Sequence, residues 1–302
     1  MAAIEPVKKS GRRRFRWRRP EFIKWERAQI WLAFWLFLLG VFMLLPLIYI
    51  FNHALKPYSE LFIFPPNIFV INPTLSNFSE LFVVTRDSLI PASRYLFNSV
   101  FIAILATAAV VVVSALCAYP LSKHKFPGAN ALFMVIIISL MFVPETMQIP
   151  RYVVVSSLGI MNTYWAHILP FVAAPVSVFL MKQFMDQVPN ELLEAAKIDG
   201  AKEFTIFLRI VMPICMPAVA TNAILQFQGI WGNTETSVLF MTDDAMKTFP
   251  FFLQTLTQNL ANAVARQGAA AAAALVMFLP VLFVFLVFQR KVIATMAHSG
   301  IK

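Results

Sequence analysis

The sequence predicts an all-α membrane protein with six transmembrane helices. Three observations lead there. The 302 residues are 59% hydrophobic and 13% charged, with a mean hydropathy of +0.72; a soluble domain carries roughly 25% charge and less than half apolar residues. The apolar runs are continuous and about twenty residues long, enough for a helix to cross a ~30 Å hydrocarbon core. A β-barrel would instead alternate over segments of about ten residues. Thirty Phe against nine Gly also suit helical spans better than a loop-rich β protein.

The chain opens on a basic tail, residues 1–29. Lys8, Lys9, Arg12, Arg13, Arg14, Arg16, Arg18, Arg19, Lys24 and Arg27 supply much of the net charge of +10. Positive charge beside a first span keeps that end cytoplasmic, and contact with anionic lipid is a plausible addition. The charge lies in one tail with no accompanying nucleic-acid fold, so nucleic acid is not expected as a partner. The first span, Ile30 to Phe51, reaches about 33 Å at ~1.5 Å per residue. It is too long for the apolar core of a signal peptide, and is expected to be retained.

Residues 53–95 contain Pro57, Pro65, Pro66, Pro73 and Pro91. The segment is too polar to span and too broken for one helix, so it belongs outside. The second span, Asn98 to Leu121, carries small residues, Ala103, Ala106, Thr107, Ala108 and Ala109, where a neighbouring helix can approach closely. The short turn Lys123-His124-Lys125 is basic, as a cytoplasmic loop should be.

The third span is expected over Ala131 to Ile149, with Pro144 and Glu145 toward its outer end. An acid at mid-bilayer costs about 2.5–3.5 kcal/mol on insertion scales. Glu145 therefore either lines the outer part of a solute path or sits in the headgroup zone; Pro144 and Gln148, which suit a helix end, favour the second. An external turn follows, with Gly159 and Asn162 as turn formers and Tyr164 and Trp165 as interface anchors. The fourth span, Trp165 to Met181, is interrupted by Pro170 and Pro175.

A charged stretch then separates the fourth span from the fifth, Ile210 to Ile230. It must lie outside the hydrocarbon, and it reads as a short helix near residues 189–201. Pro189 suits a first turn, Glu191 sits near the positive end of the dipole, and Gly200 supplies a left-handed stop. Leu192, Ala195, Ala196 and Ile198 give this helix a partly apolar surface that needs a docking partner. The fifth span holds Thr221, Asn222, Gln226 and Gln228. Neutral amides suit hydroxyl-rich solutes because they donate and accept without burying charge; they also serve as interhelix glue. An external loop, Trp231 to Gly268, leads to the sixth span, Ala269 to Phe288, and to a tail at residues 290–302 with Arg290 and Lys291. Six spans return both termini to one side.

Glu194-Ala195-Ala196, then Gly200, Ile210 and Met212-Pro213 resembles the EAA loop of ABC importer membrane subunits, with Met212 where that family usually has Leu. The external turn Leu158 to Ala166, followed by Ile168-Leu169-Pro170, is similar to the sugar-type permeases of that class, as are Pro73 to Phe82 and Arg94 to Ser99. Gly300 and Lys302 resemble the C-terminal tail of maltose-type permeases. Near Trp231 the family places Trp beside Asn, whereas this chain inserts Gly232 before Asn233.

The resemblance implies a type I ABC importer permease fold in a bacterial inner membrane. It implies that residues 30–289 form the permease domain and that Glu194, Ala195, Ala196, Asp199 and Gly200 couple it to an ATPase. The partners it implies are a second homologous permease subunit, an ATP-binding subunit dimer, an extracytoplasmic solute-binding protein and the bilayer. Glu145, Asn222, Gln226 and Gln228 are the candidate solute-path residues.

The chain has no phosphate-cradling GxxxxGK[ST]. No cofactor is therefore expected on it; ATP and Mg belong to the partner ATPase. Cys117 and Cys215 fall inside spans without metal spacing, and His53, His124, His167 and His298 do not cluster, so neither a metal site nor a catalytic triad is expected. Three alternatives differ in what they require of the sequence. An importer subunit for amino acids or peptides would share the same coupling stretch. A secondary transporter should show inverted repeats and buried coupling-ion residues, and neither is visible. A membrane enzyme would need clustered intramembrane His, Asp or Glu.

Overall fold

The computed structural model describes residues 27–63, 65, 67, 69–83, 90–258 and 266–299. Most of the basic tail, up to Lys24, and the tail residues Gly300 and Lys302 lie outside the described residues. All regular structure among those described is helical. By length and composition three helices can cross a membrane, or six if each of three bent helix pairs counts as one span.

The chain divides into two compact units, the first ending at Ile48. That unit contains most of α1 (Arg27–Leu55). Most of its apolar side chains, including Trp31, Phe37 and Phe42, are exposed, which in water would be prohibitive and in lipid is the favourable state.

The second unit begins at Tyr49. After α2 (Tyr58–Leu61) and α3 (Ser76–Val83) comes α4 (Ala92–Lys123), about 48 Å long at ~1.5 Å per residue. Then follow α5 (Ala129–Ser139), a 3₁₀ turn at Pro144–Met147 and α6 (Gln148–Ser157). Next are α7 (Tyr164–Val172), α8 (Pro175–Asp186), α9 (Asn190–Ile198) and α10 (Glu203–Ile206). A π-helical turn at Phe207–Val211 leads into α11 (Met212–Ile214) and α12 (Met216–Trp231). The chain finishes with α13 (Glu235–Phe240), a 3₁₀ turn at Asp244–Met246, α14 (Phe249–Thr257) and α15 (Gln267–Ser299).

Helix α4 is the axis of this unit. Its first turns, through Ala92 and Tyr95, pack with Phe249 and Phe252 of α14 and Ala269 of α15. Its middle, Ile102, Ala103 and Ala106, packs with Ile168 of α7 and with Ile230 and Trp231. Its last turns, Ala115, Ala118 and Tyr119, pack with α8, α9 and the 206–218 segment. Ala103 and Ala106 are fully buried, as expected where small side chains let backbones approach. Trp231 meets the same junction and donates its indole N–H to Met277 O at 2.8 Å.

The third span departs from expectation. The helix anticipated over Ala131–Ile149 ends at Ser139, and the Pro144–Ser157 piece turns away by 106°. The apolar run continues across the break, so hydropathy alone does not register it. Pro144 starts the new turn because its ring fixes φ and its missing N–H costs nothing at a helix start. The fourth span bends by 44° before Pro175, and the fifth by 77° at Cys215, between Pro213 and Pro217. Proline removes the amide hydrogen bond each time.

The end of the bundle remote from α9 is held by polar contacts. Asn98 donates to Ala245 O at 2.9 Å and Lys247 O at 2.8 Å, and accepts from Tyr164 at 2.8 Å. Arg94 also donates to Ala245 O. Asn162 adopts φ +58°, a left-handed conformation that Asn tolerates better than most residues. Its side-chain oxygen accepts the N–H groups of Thr242 and Asp243. The segment after α1 is clasped similarly. The buried Glu60 carboxylate accepts Ile71 N–H at 3.0 Å and Asn72 N–H at 2.9 Å, while Lys56 Nζ donates to Asn67 O.

Candidate functional site

The candidate site is α9 and its mounting. Pro189 precedes the helix in an extended conformation and Asn190 begins it; proline therefore sits one position earlier than the expected first turn. The stop is a Schellman motif. Gly200 takes φ +79°; its N–H reaches Lys197 O, and Ala201 N–H reaches Ala196 O, both at 3.0 Å. These bonds satisfy carbonyls that a helix end otherwise leaves bare.

Helical spacing then divides α9 into two faces. Leu193 and Ala196, three apart, are buried in the cluster shared with Ala118 and Tyr119 of α4, Met181 and Met185 of α8, and Phe207. The other face is open. Glu191, Leu192, Glu194, Ala195, Lys197, Ile198, Asp199 and Gly200 are exposed, Ile198 to 87%. Phe204, just past the stop, is also exposed. Acidic groups and uncovered apolar side chains thus share one outward surface. Of the five predicted coupling residues, Glu194, Ala195, Asp199 and Gly200 lie on it, whereas Ala196 lies inside.

Both flanks of α9 are tied to the last turn of α4. Lys123 Nζ donates to Val188 O at 2.6 Å, ahead of the helix, and to Oδ1 of Asn190, its first residue, at 3.2 Å. Beyond it, Glu203 gathers three partners. Tyr119 donates to its Oε1 at 2.6 Å, His124 Nε2 lies 3.0 Å from that same oxygen, and Lys197 Nζ lies 3.2 Å from Oε2. The Tyr119 ring is itself fixed beside Phe207, 5.1 Å between centroids. Lys182 and Asp186 add an i,i+4 pair at 2.7 Å on the last turn of α8. Sequence reasoning singled out the basic turn Lys123-His124-Lys125 for its charge only. Glu203 and Tyr119 escaped it because they are 84 residues apart, with no local pattern joining them.

The candidate solute-path residues differ in exposure. Asn222 is 1% exposed and its amide nitrogen has no hydrogen-bond partner among the described residues. Gln226, one turn further along α12, is half-buried. Gln228 and Glu145 are exposed.

Comparison with known proteins agrees with this architecture. Residues 111–298 match the family described as binding-protein-dependent transport system inner membrane component. The chain is 33% identical over 205 residues to the arabinooligosaccharides transport system permease protein AraQ of Halalkalibacterium halodurans, covering 68% of this chain and 72% of that protein. It is 27% identical over 279 residues to the trehalose transport system permease protein SugB of Mycobacterium tuberculosis, covering 92% and 98%. In fold it is similar to a chain of a bacterial ABC transporter involved in the import of the acidic polysaccharide alginate, with a TM-score of 0.75 and 20% identity over 88% of this chain and 98% of that one.

Proposed function

This chain belongs to the family of binding-protein-dependent transport system inner membrane components, and from that membership we propose that it is the permease subunit of an ATP-driven sugar importer. The names of its relatives concern arabinooligosaccharides and trehalose, which favours sugar over amino acids or peptides. The chain supplies half of a translocation path, a second homologous permease subunit the other half. It lies in a bacterial inner membrane with both termini cytoplasmic, so α9 faces the cytoplasm. An extracytoplasmic solute-binding protein delivers sugar at the opposite end.

One observation carries the reading: α9 is a short helix with a buried face fixed to the bundle and an acidic, apolar face left uncovered. Such a surface suits a protein partner rather than a solute. The partner is an ATPase dimer that holds ATP and Mg. When ATP closes that dimer, the docked α9 helices are carried inward, and the spans exchange an inward-open for an outward-open arrangement. Glu194 makes a charged contact on the ATPase, and Ala195 lets the two surfaces approach. The permease performs no bond chemistry; it converts differential contacts in two states into access.

Uptake by the native complex separates sugar from its alternatives. With ATP supplied, labelled oligosaccharide should enter vesicles carrying the complex and its binding protein, while labelled amino acids and peptides should not. ATP-driven amino-acid or peptide uptake without sugar uptake would overturn the substrate assignment.

A further inference from the structure

Resting on the coupling role of α9, we propose that Glu203 is a positioning residue that locks the exit of α9 to α4, so that movement imposed on α9 is passed to the central helix. Leu193 and Ala196 hold α9 to the bundle by apolar contact. Such contact is non-directional; it resists separation but sets orientation less sharply than a directed bond does. Direction must come from polar bonds at the two flanks. Lys123 supplies the bond ahead of α9, and Glu203 supplies the one behind it.

Glu203 is suited to this joint by chemistry. A carboxylate has two oxygens that only accept, enough for several donors at once. Here the donors come from separate pieces, Tyr119 from α4 and Lys197 from the last turn of α9, and His124, the residue after α4, lies against the oxygen that Tyr119 bonds. Tyr119 is 7% exposed, so its hydroxyl is held in place by packing. Glu203 itself is 40% exposed. Ion pairs that open to water contribute little stability; what this one adds is geometry, joining α9 to α4 within a hydrogen-bond length.

The test uses the complete complex in vesicles and reads sugar transported per ATP hydrolysed, together with recovery of assembled complex. Glu203→Ala should lower that ratio at least about fivefold, the low end of ordinary coupling, with assembly unchanged. Glu203→Gln, which keeps an acceptor for Tyr119 but not the charge, should recover part of the loss. Tyr119→Phe should lower the ratio less and add nothing in the Glu203→Ala background, as for two members of one joint. An unchanged ratio in Glu203→Ala would overturn the inference. If Glu203→Ala fails to assemble, Tyr119→Phe decides, and a normal ratio there overturns it. Absence of ATP-driven sugar uptake in the unaltered complex would instead strike the functional reading beneath it.

Discussion

Gly268 shows how one missing side chain can set a junction. A Cβ there would lie 2.9 Å from Asn77 Cγ and closer still to its Oδ1. Asn77 cannot withdraw, because its amide donates to Ala54 O at 3.0 Å and Lys56 O at 2.7 Å, closing bare carbonyls where α1 ends. Gly268→Ala should therefore cost about 1–3 kcal/mol, as overpacking does, and lower the midpoint of thermal unfolding in detergent; an unchanged midpoint would refute the close approach. Glu60 offers a pH dependence. The Ile71 N–H, foremost, and then Asn72 hold its carboxyl below the ordinary value of 4.5, outweighing the opposing effect of burial. A carboxyl lowered on folding stabilises its surroundings above its ordinary pKa, and that contribution fades as pH falls from there through the lowered value. Exchange of the Ile71 and Asn72 amides should quicken below pH 4.5 relative to other loop amides. Glu60→Gln should exchange fast at neutral pH as well. Gly200 was legible in the sequence because its role is local: only a residue at ease at positive φ ends α9 this way. The Asn77 clasp and the Glu203 joint were not, since each joins residues from elements distant in the chain.

At the scale of elements, α9 is held between two constraints, a fixed inner face and a defined stop. Proline at position 200 cannot adopt φ +79°, so Gly200→Pro should turn the exit of α9 while leaving the spans intact. Glu194→Lys should cancel the net negative charge of its exposed surface, where Glu191, Glu194 and Asp199 stand against Lys197, without touching the buried one. Both should reduce uptake per ATP at least about fivefold at normal membrane insertion, measured by uptake and hydrolysis in the same vesicles. Normal uptake at normal expression in both would contradict the docking role. The six apolar runs and the short helix between the fourth and fifth could be read from sequence, because period and hydropathy are written locally. The 106° break after Ser139 could not. Leucine, Met, Phe and Val across residues 140–143 are as apolar as the helix they end, and Pro144, which starts the piece beyond the bend, reads in the sequence only as the outer end of one continuous span.

The whole second unit is organised by α4, which meets α14 and α15 near its start, α7 and α12 midway, and α8 and α9 at its close. Arg94 and Asn98 on its first turns bond the loop around Ala245–Lys247; Tyr119 and Lys123 on its last turns bond the two flanks of α9. One continuous helix thus carries the fixings of both ends of the unit. A transporter powered by a separate protein requires such a connection, whereas one powered by an ion gradient requires charged coupling residues within its spans. Vesicles separate the two. With the partner permease, the ATPase and the binding protein present, the chain should move sugar when ATP is supplied and stop when hydrolysis is blocked. Sugar transport by the purified chain alone, driven by an ion gradient, would contradict the account.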